Sequence, residues 1–575
     1  MRSRSRRLIP ALASGTLCIH NPWGYTVLPD VPLVLLVILF SFLIGASVRS
    51  VRLAFDRTAG LLLVATAAGL VSAMFSAAPL LGLLGGFGRS TGVVTIATWC
   101  LAYMAGLSAG SRRTDRDQQL RLLVLSAVAF AVLVLTGRWG LPLTPESAGD
   151  RAVGPLGSSA FSGAALVVLL PWGLVEAFDA RPGRRASGVV ASTLCVLALA
   201  ATGSRAAWLG ATVAIAVTAV VAWRRPGRGF AFGLMLGLVV VAGVATQAFD
   251  TSDRIEAIGV ENGTAAGRVA LWGTGFRASD QYLILGVGMD QQESALSLEL
   301  PEDFEARFGD RVIVDRSHNW LLDMWLGGGS TVVVSLVIAA ALALRRCPRD
   351  PMGVAIGAGF VGYAVQAQFN FSFPPVEAVL WLLLGLAVAP SVRERALPVR
   401  AVAPVAVIGM AIGVPFLLNV VADVRLENGR RAEVAGDIDR AEREFENAAS
   451  SASWQPVLSE VVVRFGLRHS DAQLATIASE EAIRRSGGQA RWRELKGEVL
   501  LSMGKFEEAA DLFRELLLLR ANDSSLHVGL GEALVGMGDL ERARRAFESA
   551  LAINPNSVRA DDGLRAMAIL PPQES

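Results

Sequence analysis

The chain has 575 residues, 53% of them hydrophobic, with a mean hydropathy of +0.47. Such a composition excludes a string of soluble domains, so length alone does not set the domain count. A net charge of +2 suggests no nucleic-acid partner, and four cysteines without a C-x-x-C make no disulfide framework.

Apolar runs long enough to cross a bilayer recur from the N-terminus to about residue 420. The expected spans are roughly 8–27, 29–48, 58–76, 92–110, 121–137, 157–178, 188–203, 207–223, 230–249, 318–344, 352–369, 376–391 and 401–420. The first is interrupted by His20, Asn21 and Pro22. It reads as a retained helix, with a signal peptide as the alternative because four arginines precede it. The short loops "RSVRLAFDR", "SRRTDRDQQLR", "RPGRR", "RRPGR", "RRCPR" and "RERALPVR" fall on one side, together with the N-terminus. Arginine bias makes that side the cytoplasm. The other side then receives Phe87–Thr91, the 250–317 segment and everything after residue 420. The expected architecture is all-α: a polytopic membrane domain of about twelve or thirteen helices over 1–421, then a helical solenoid over 422–570.

The solenoid is read from a period. "GDIDRAEREFENA", "GKFEEAADLFREL" and "GDLERARRAFESA" begin at Gly436, Gly504 and Gly538, spaced by 34 or twice 34. Ala441, Ala475, Ala509 and Ala543 share one phase, as do Phe445, Phe513 and Phe547; Ser479 stands where a further Phe is expected. A sustained 34-residue period is the signature of the tetratricopeptide repeat. Repeats are expected near 422–455, 456–489, 490–523 and 524–557, stacking into a surface for a protein partner. His469 and His527 read as surface or packing residues, and no catalytic cluster is expected there.

Polar chemistry concentrates beside the spans. "ATGSRAAWLG" places Arg205 in a tight turn; the plain alternative is an interfacial, snorkelling arginine. In "GRVALWGTGFRASDQYLILGVG", Arg268, Trp272 and Phe276 recur at helical spacing, as an amphipathic helix lying on the membrane would require. The 250–317 segment holds thirteen Asp or Glu against six Arg. Arg307 and Arg311 read as parts of a solvated charged face. "DRSHNWLLDMW" sets His318 at the lip of a span, two residues after Arg316. No H-E-x-x-H or Cys/His metal spacing occurs, and "GGFGRSTG" lacks the lysine of a P-loop.

Several of these stretches resemble the O-antigen ligase/Wzy-type polymerase superfamily of bacterial glycan-assembling membrane proteins. "LLGGFGRSTGVVTIATW" is similar to its G-x-x-x-R-x-x-G stretch, "TGSRAAWLG" to T-x-S-R-x-x-W/G, "GRVALW…ILGVGMDQ" to R-x-x-x-W…LG-x-G, and "SHNWLLDMWLGGG" to H-N-x-x-L…G-x-G. "GPLGSSAFSGAALVVLLP" resembles a further segment, with Ser158 and Ala160 in place of the usual asparagines.

The resemblance implies a glycosyltransferase of the bacterial cytoplasmic membrane. It would move a glycan from a polyprenyl-pyrophosphate carrier to an acceptor hydroxyl (glycan, lipid or protein) outside that membrane, without metal or cofactor. The implied catalytic residues are His318 as base, with Arg205 and Arg268 on the pyrophosphate. Arg89, Trp272 and Asn319 are implied in substrate binding. A lipid-linked glycan flippase is the alternative, although it would want charges along a path through the bilayer. A non-catalytic scaffold presenting the repeats is another.

Overall fold

The computed structural model describes residues 3–19, 30–47, 55–110, 113–138, 151–222, 237–238, 264–309, 312–391 and 399–569. Among them the structure is all-α, with no strand. Seven helices are long and apolar enough to cross a membrane: Arg57–Met74, Arg116–Gly137, Ser159–Ala177, Pro182–Thr202, Trp320–Arg346, Pro374–Ser391 and Val407–Val434. Asp30–Ser41, Val93–Ala109, Arg205–Val220 and Pro351–Ala367 are shorter apolar helices. The chain is a multi-pass membrane protein. The span expected over 230–249 lies outside the described residues, apart from 237–238. In the first stretch a helix runs over Ser3–Thr16 and ends where Leu17 and Cys18 turn their amides back onto Ser14 and Gly15; residues 20–27 of the expected span lie outside the described residues.

Small residues set how closely these helices pack. A Cβ at Gly106 would lie 2.1 Å from the Leu382 carbonyl, and one at Gly385 would lie 2.2 Å from that of Tyr103. The Val93–Ala109 and Pro374–Val388 helices therefore touch backbone to backbone, as small-residue interfaces between apolar helices do. The Ser159–Ala177 helix sits at the centre, almost wholly buried, and is capped by Ser158, whose Oγ accepts the Ala160 amide. One end of the bundle gathers basic loops into ion pairs. Arg346 meets Asp56 at 2.8 Å, Arg184 meets Glu176 at 3.0 Å and Asp117 at 2.8 Å, and Arg116 pairs with Asp350.

The opposite end carries the repeats. Helices Pro456–Arg468, Ala472–Ser486, Ala490–Ser502, Phe506–Leu519, Ser524–Gly536 and Leu540–Ile553 pair in sequence, after Ile438–Ser451 pairs with the end of Val399–Val434. The period has a packing basis. Phe445, Phe513 and Phe547 are buried against Gly429, Gly497 and Gly531, where an added Cβ would come within 2.7 Å, 2.5 Å and 2.7 Å of the rings. In the remaining repeat both positions change: Val463 replaces the glycine and Ser479 the phenylalanine, and both are fully buried. Volume lost on one helix is regained on its partner, which is how a core tolerates substitution.

The repeats are not tethered loosely. Ala78 and Leu81, from the segment after the Arg57–Met74 helix, belong to the same hydrophobic core as Trp454 and Leu458. Gln455, fully buried, accepts the Phe87 amide at 2.7 Å and donates to the Gly85 carbonyl at 2.9 Å. Trp454 Nε1 donates to that same carbonyl at 3.1 Å.

Candidate functional site

The site is organised by a break in a helix. The Trp320–Arg346 helix is interrupted at Gly329, whose φ of 78° lies in the left-handed region. The Leu283–Gly288 strip fills the break: Val287 donates to Leu326 O at 2.8 Å, Gly288 to Gly327 O at 3.0 Å, and Ser330 to Leu283 O at 3.0 Å. Ser72 Oγ also donates to Gly327 O, at 2.9 Å. Freed carbonyls within a membrane domain require such partners. A Cβ at Gly329 would lie 1.9 Å from the Ile284 carbonyl, which explains a glycine at this crossing.

The strip delivers Asp290 to the head of the same helix. Asp290 Oδ2 accepts the amides of Gly86 at 2.7 Å and Thr91 at 3.0 Å, while Oδ1 accepts Thr91 Oγ1 and pairs with Arg316. Arg316 also donates to Thr91 Oγ1 at 2.7 Å. Both members of the ion pair are almost inaccessible, Arg316 at 1% and Asp290 at 2%. The Arg316 Nε and Nη1 groups find no hydrogen-bond partner among the described residues.

His318 follows immediately. Its φ of 54° is left-handed, unusual for a residue with a side chain. It lies just before the helix, whose N-cap is Asn319: Oδ1 accepts the Leu322 amide at 3.1 Å, and Nδ2 donates to Gln368 O at 3.2 Å. Asp323 accepts the Ser317 amide at 2.7 Å and its hydroxyl at 2.6 Å, which fixes the turn from the other side. Trp272 Nε1 reaches the His318 carbonyl at 3.5 Å, and the Trp272 ring packs 5.5 Å from Phe369.

Phe371 is the aromatic hub. The His318 ring meets it at 5.6 Å, the Arg316 guanidinium at 5.5 Å and the Arg89 guanidinium at 5.8 Å. Arg89 also pairs with Asp315. Burial first, then the charges of Arg268, Arg316 and Arg89, push the His318 imidazole down to about 4. Burial and the charge of Arg205 likewise lower Arg268 from its ordinary value. Among the described residues, Arg268 forms no ion pair with a carboxylate. Three arginines thus act on one neutral imidazole, and one of them, the half-buried Arg268, faces a further cation, Arg205. Such a site favours an anion.

Residues 190–337 match the O-antigen ligase family model.

The matched region supports an O-antigen ligase-type membrane enzyme. Residues 467–526 and 500–567 match tetratricopeptide repeat families. No curated protein matches the chain. Among solved structures, MamA of MSR-1 aligns at 23% identity over 26% of this chain and 88% of that one, with a TM-score of 0.21. YrrB, described as a TPR protein with an unusual peptide-binding site, aligns at 17% identity over 30% and 92%, with a TM-score of 0.23. Yeast Tom70 aligns at 13% identity over 79% and 85%, with a TM-score of 0.23. At these scores the likenesses carry no argument about this chain.

The ligase region holds most of the residues singled out by sequence. His318, Trp272 and Asn319 meet at the helix head, and Arg268 acts on His318 while Arg205 acts on Arg268. Arg89 joins them from outside the matched region. Arg205 heads its own helix after Gly203, which is left-handed at φ 56°. The Thr264–Gln281 helix exposes Phe276 and half-buries Arg268 and Trp272 towards His318's neighbourhood. Arg307 pairs with Asp303 at 3.4 Å on an exposed face, whereas Arg311 lies outside the described residues. Sequence reasoning missed Asp290, Thr91, Asp315 and Phe371. "GMDQ" and "FNFSF" carry no spacing that marks them; only the repeated Phe of the latter, next to two prolines, hinted at a packed turn.

Proposed function

We propose that this protein transfers a glycan from a polyprenyl-pyrophosphate carrier to an acceptor hydroxyl on the outer side of the bacterial cytoplasmic membrane. The observation that carries the reading is the neutral His318 ringed by Arg89, Arg268 and Arg316. Guanidinium groups hold phosphate oxygens in bidentate geometry and need no metal to do so. Arg268 and Arg205 bind the pyrophosphate; Arg89, already engaged with Asp315, is a secondary cation. Trp272 and Asn319 hold the His318 turn against the bound substrate.

The chemistry follows from charge. Before the donor binds, the arginines keep His318 unprotonated. A docked pyrophosphate offsets their fields, and the imidazole becomes a stronger base when it is needed. His318 takes the acceptor hydroxyl proton, the oxygen bonds to the anomeric carbon, and the bond from that carbon to the pyrophosphate breaks. The leaving polyprenyl pyrophosphate takes up negative charge between fixed cations.

The orientation belongs to the same reading. Among the described residues, four of the arginine-rich loops pair with one another at one end of the bundle, whereas His318 and the repeats share the other. Arginine bias makes the first end cytoplasmic. A reporter enzyme fused after residue 424 is expected to be active only in the form that requires export, and activity of a cytoplasmic reporter there overturns the placement. The catalytic reading is tested by release of polyprenyl pyrophosphate from a lipid-linked glycan by the purified full-length protein. Failure to release it from any such donor refutes the reading.

A further inference from the structure

A cavity of about 440 Å³ lies between the Glu293–Val314 segment and the repeats, within the range of about 300–1,000 Å³ typical of small-ligand sites. Its walls are tied together. Arg491 bridges Glu460 at 2.9 Å and Glu293 at 3.7 Å, and the Ser524 amide donates to Glu305 at 3.0 Å. Most of the lining charges are already paired, so no counter-ion is demanded. Glu498 differs: it lines the cavity half-buried, with no hydrogen bond or ion pair among the described residues. Leu298 and Ile313, 52% and 55% exposed, add apolar surface to the lining.

Glu293 connects this cavity to the candidate site. It pairs with Arg491 in the wall, and its charge acts on Arg89. Arg89 in turn pairs with Asp315, just before His318 in the chain.

Resting on the transferase reading above, we infer that this cavity, built jointly by the 293–314 segment and the repeats, binds the acceptor as a short neutral oligosaccharide. Hydroxyls both donate and accept, so they use the spare lone pairs and N–H groups of paired carboxylates and guanidiniums without breaking the pairs. Glu498 accepts from a sugar hydroxyl, and the C–H faces of the rings lie on Leu298 and Ile313. A peptide carboxylate would have to displace an ion pair first, since the lining arginines are already paired.

The test uses full-length protein in detergent and diazirine-bearing chitotriose, cellotriose and maltotriose as probes. Labelling is mapped by mass spectrometry. At least one probe is expected to label peptides within 293–314 and 491–525 and to be competed by the unlabelled trisaccharide. Leu298→Trp, which fills the cavity, and Glu498→Gln are each expected to reduce labelling more than tenfold. No labelling by any of the three, labelling elsewhere, labelling unchanged in both variants, or competition by a tripeptide in place of the sugar overturns the inference. Polyprenyl pyrophosphate release by the wild type in the same preparation separates the two readings. Release without labelling refutes the cavity alone, and labelling without release refutes the transferase and leaves a glycan-binding cavity.

Discussion

Asp290 and Arg316 form a buried ion pair that joins the Gly86–Thr91 loop to the head of the helix bearing His318. Removing one partner leaves the other charged and unsatisfied, at a cost of about 3–5 kcal/mol. Asp290→Ala is therefore expected to lower the thermal unfolding midpoint in detergent sharply. The double variant with Arg316→Met should recover the part due to the lone charge, but not the part due to the Gly86 and Thr91 amides that Asp290 accepts. A midpoint for Asp290→Ala within a degree of wild type would show that the pair does not hold the loop.

His318→Ala should slow transfer by roughly 10²–10⁴-fold while donor affinity survives, because it removes base assistance but no phosphate contact. Arg268→Ala and Arg205→Ala should weaken donor binding and turnover together. Lysine at either position should rescue only in part, since a point charge does not reproduce the guanidinium fork. Transfer at the wild-type rate by His318→Ala would make the imidazole structural.

The pH profile carries a sign. His318 is pushed down to about 4 from the ordinary 6.5 by burial and then by Arg268, Arg316 and Arg89. In the free protein it stays neutral well below pH 6.5, so kcat/KM should not fall between pH 7 and 5.5 through this group. Removing a neighbouring cation raises the value: Arg268→Gln should move the acid limb towards 6.5. The same depression links to stability. His318's contribution is full above pH 6.5, and it is lost as pH falls towards 4, because the unfolded chain takes up the proton first. An acid limb that stays put in Arg268→Gln would separate the two side chains.

Gly329→Ala should fail to accumulate in the membrane. The left-handed backbone alone costs about 1–3 kcal/mol, and the new methyl would collide with the Ile284 carbonyl. Gly357→Ala is the control: an added Cβ there meets nothing within 4 Å. Equal expression of the two variants would argue against insertion of the 283–288 strip into the broken helix.

Gln455→Ala should loosen the repeats from the loop that carries Arg89. It strands the Phe87 amide, at about 1–3 kcal/mol for a buried group left unpaired, whereas the Gly85 carbonyl keeps the Trp454 indole. Hydrogen exchange at the Phe87 amide is the readout. Protection equal to wild type would mean that the docking does not depend on this side chain.

The apolar spans were legible because the length of a bilayer crossing is written locally, and the repeats because a 34-residue period is. Ala441, Ala475, Ala509 and Ala543 fall buried in one phase, as the period requires. His318, Arg205, Arg268, Trp272 and Asn319 could be singled out because each sits in a short motif beside a span. The first helix closes at Leu17, just before the interruption at His20, Asn21 and Pro22, and the rest of its expected span lies outside the described residues.

What the sequence alone determined, then, is which segments are helical, which carry charge, and which few polar residues stand in short motifs beside apolar helices. Tertiary structure alone decided that Arg316 meets Thr91, 225 residues away, and that Gln455 meets Phe87, 368 residues away. It also decided that Phe371 lies under three charged or ionisable groups, and that the repeats wall a cavity together with the 293–314 segment. Periodicity reports only which face of an element is buried. Contacts between distant segments depend on how the elements pack, and a single buried carboxylate such as Asp290 leaves no periodic trace in its own neighbourhood.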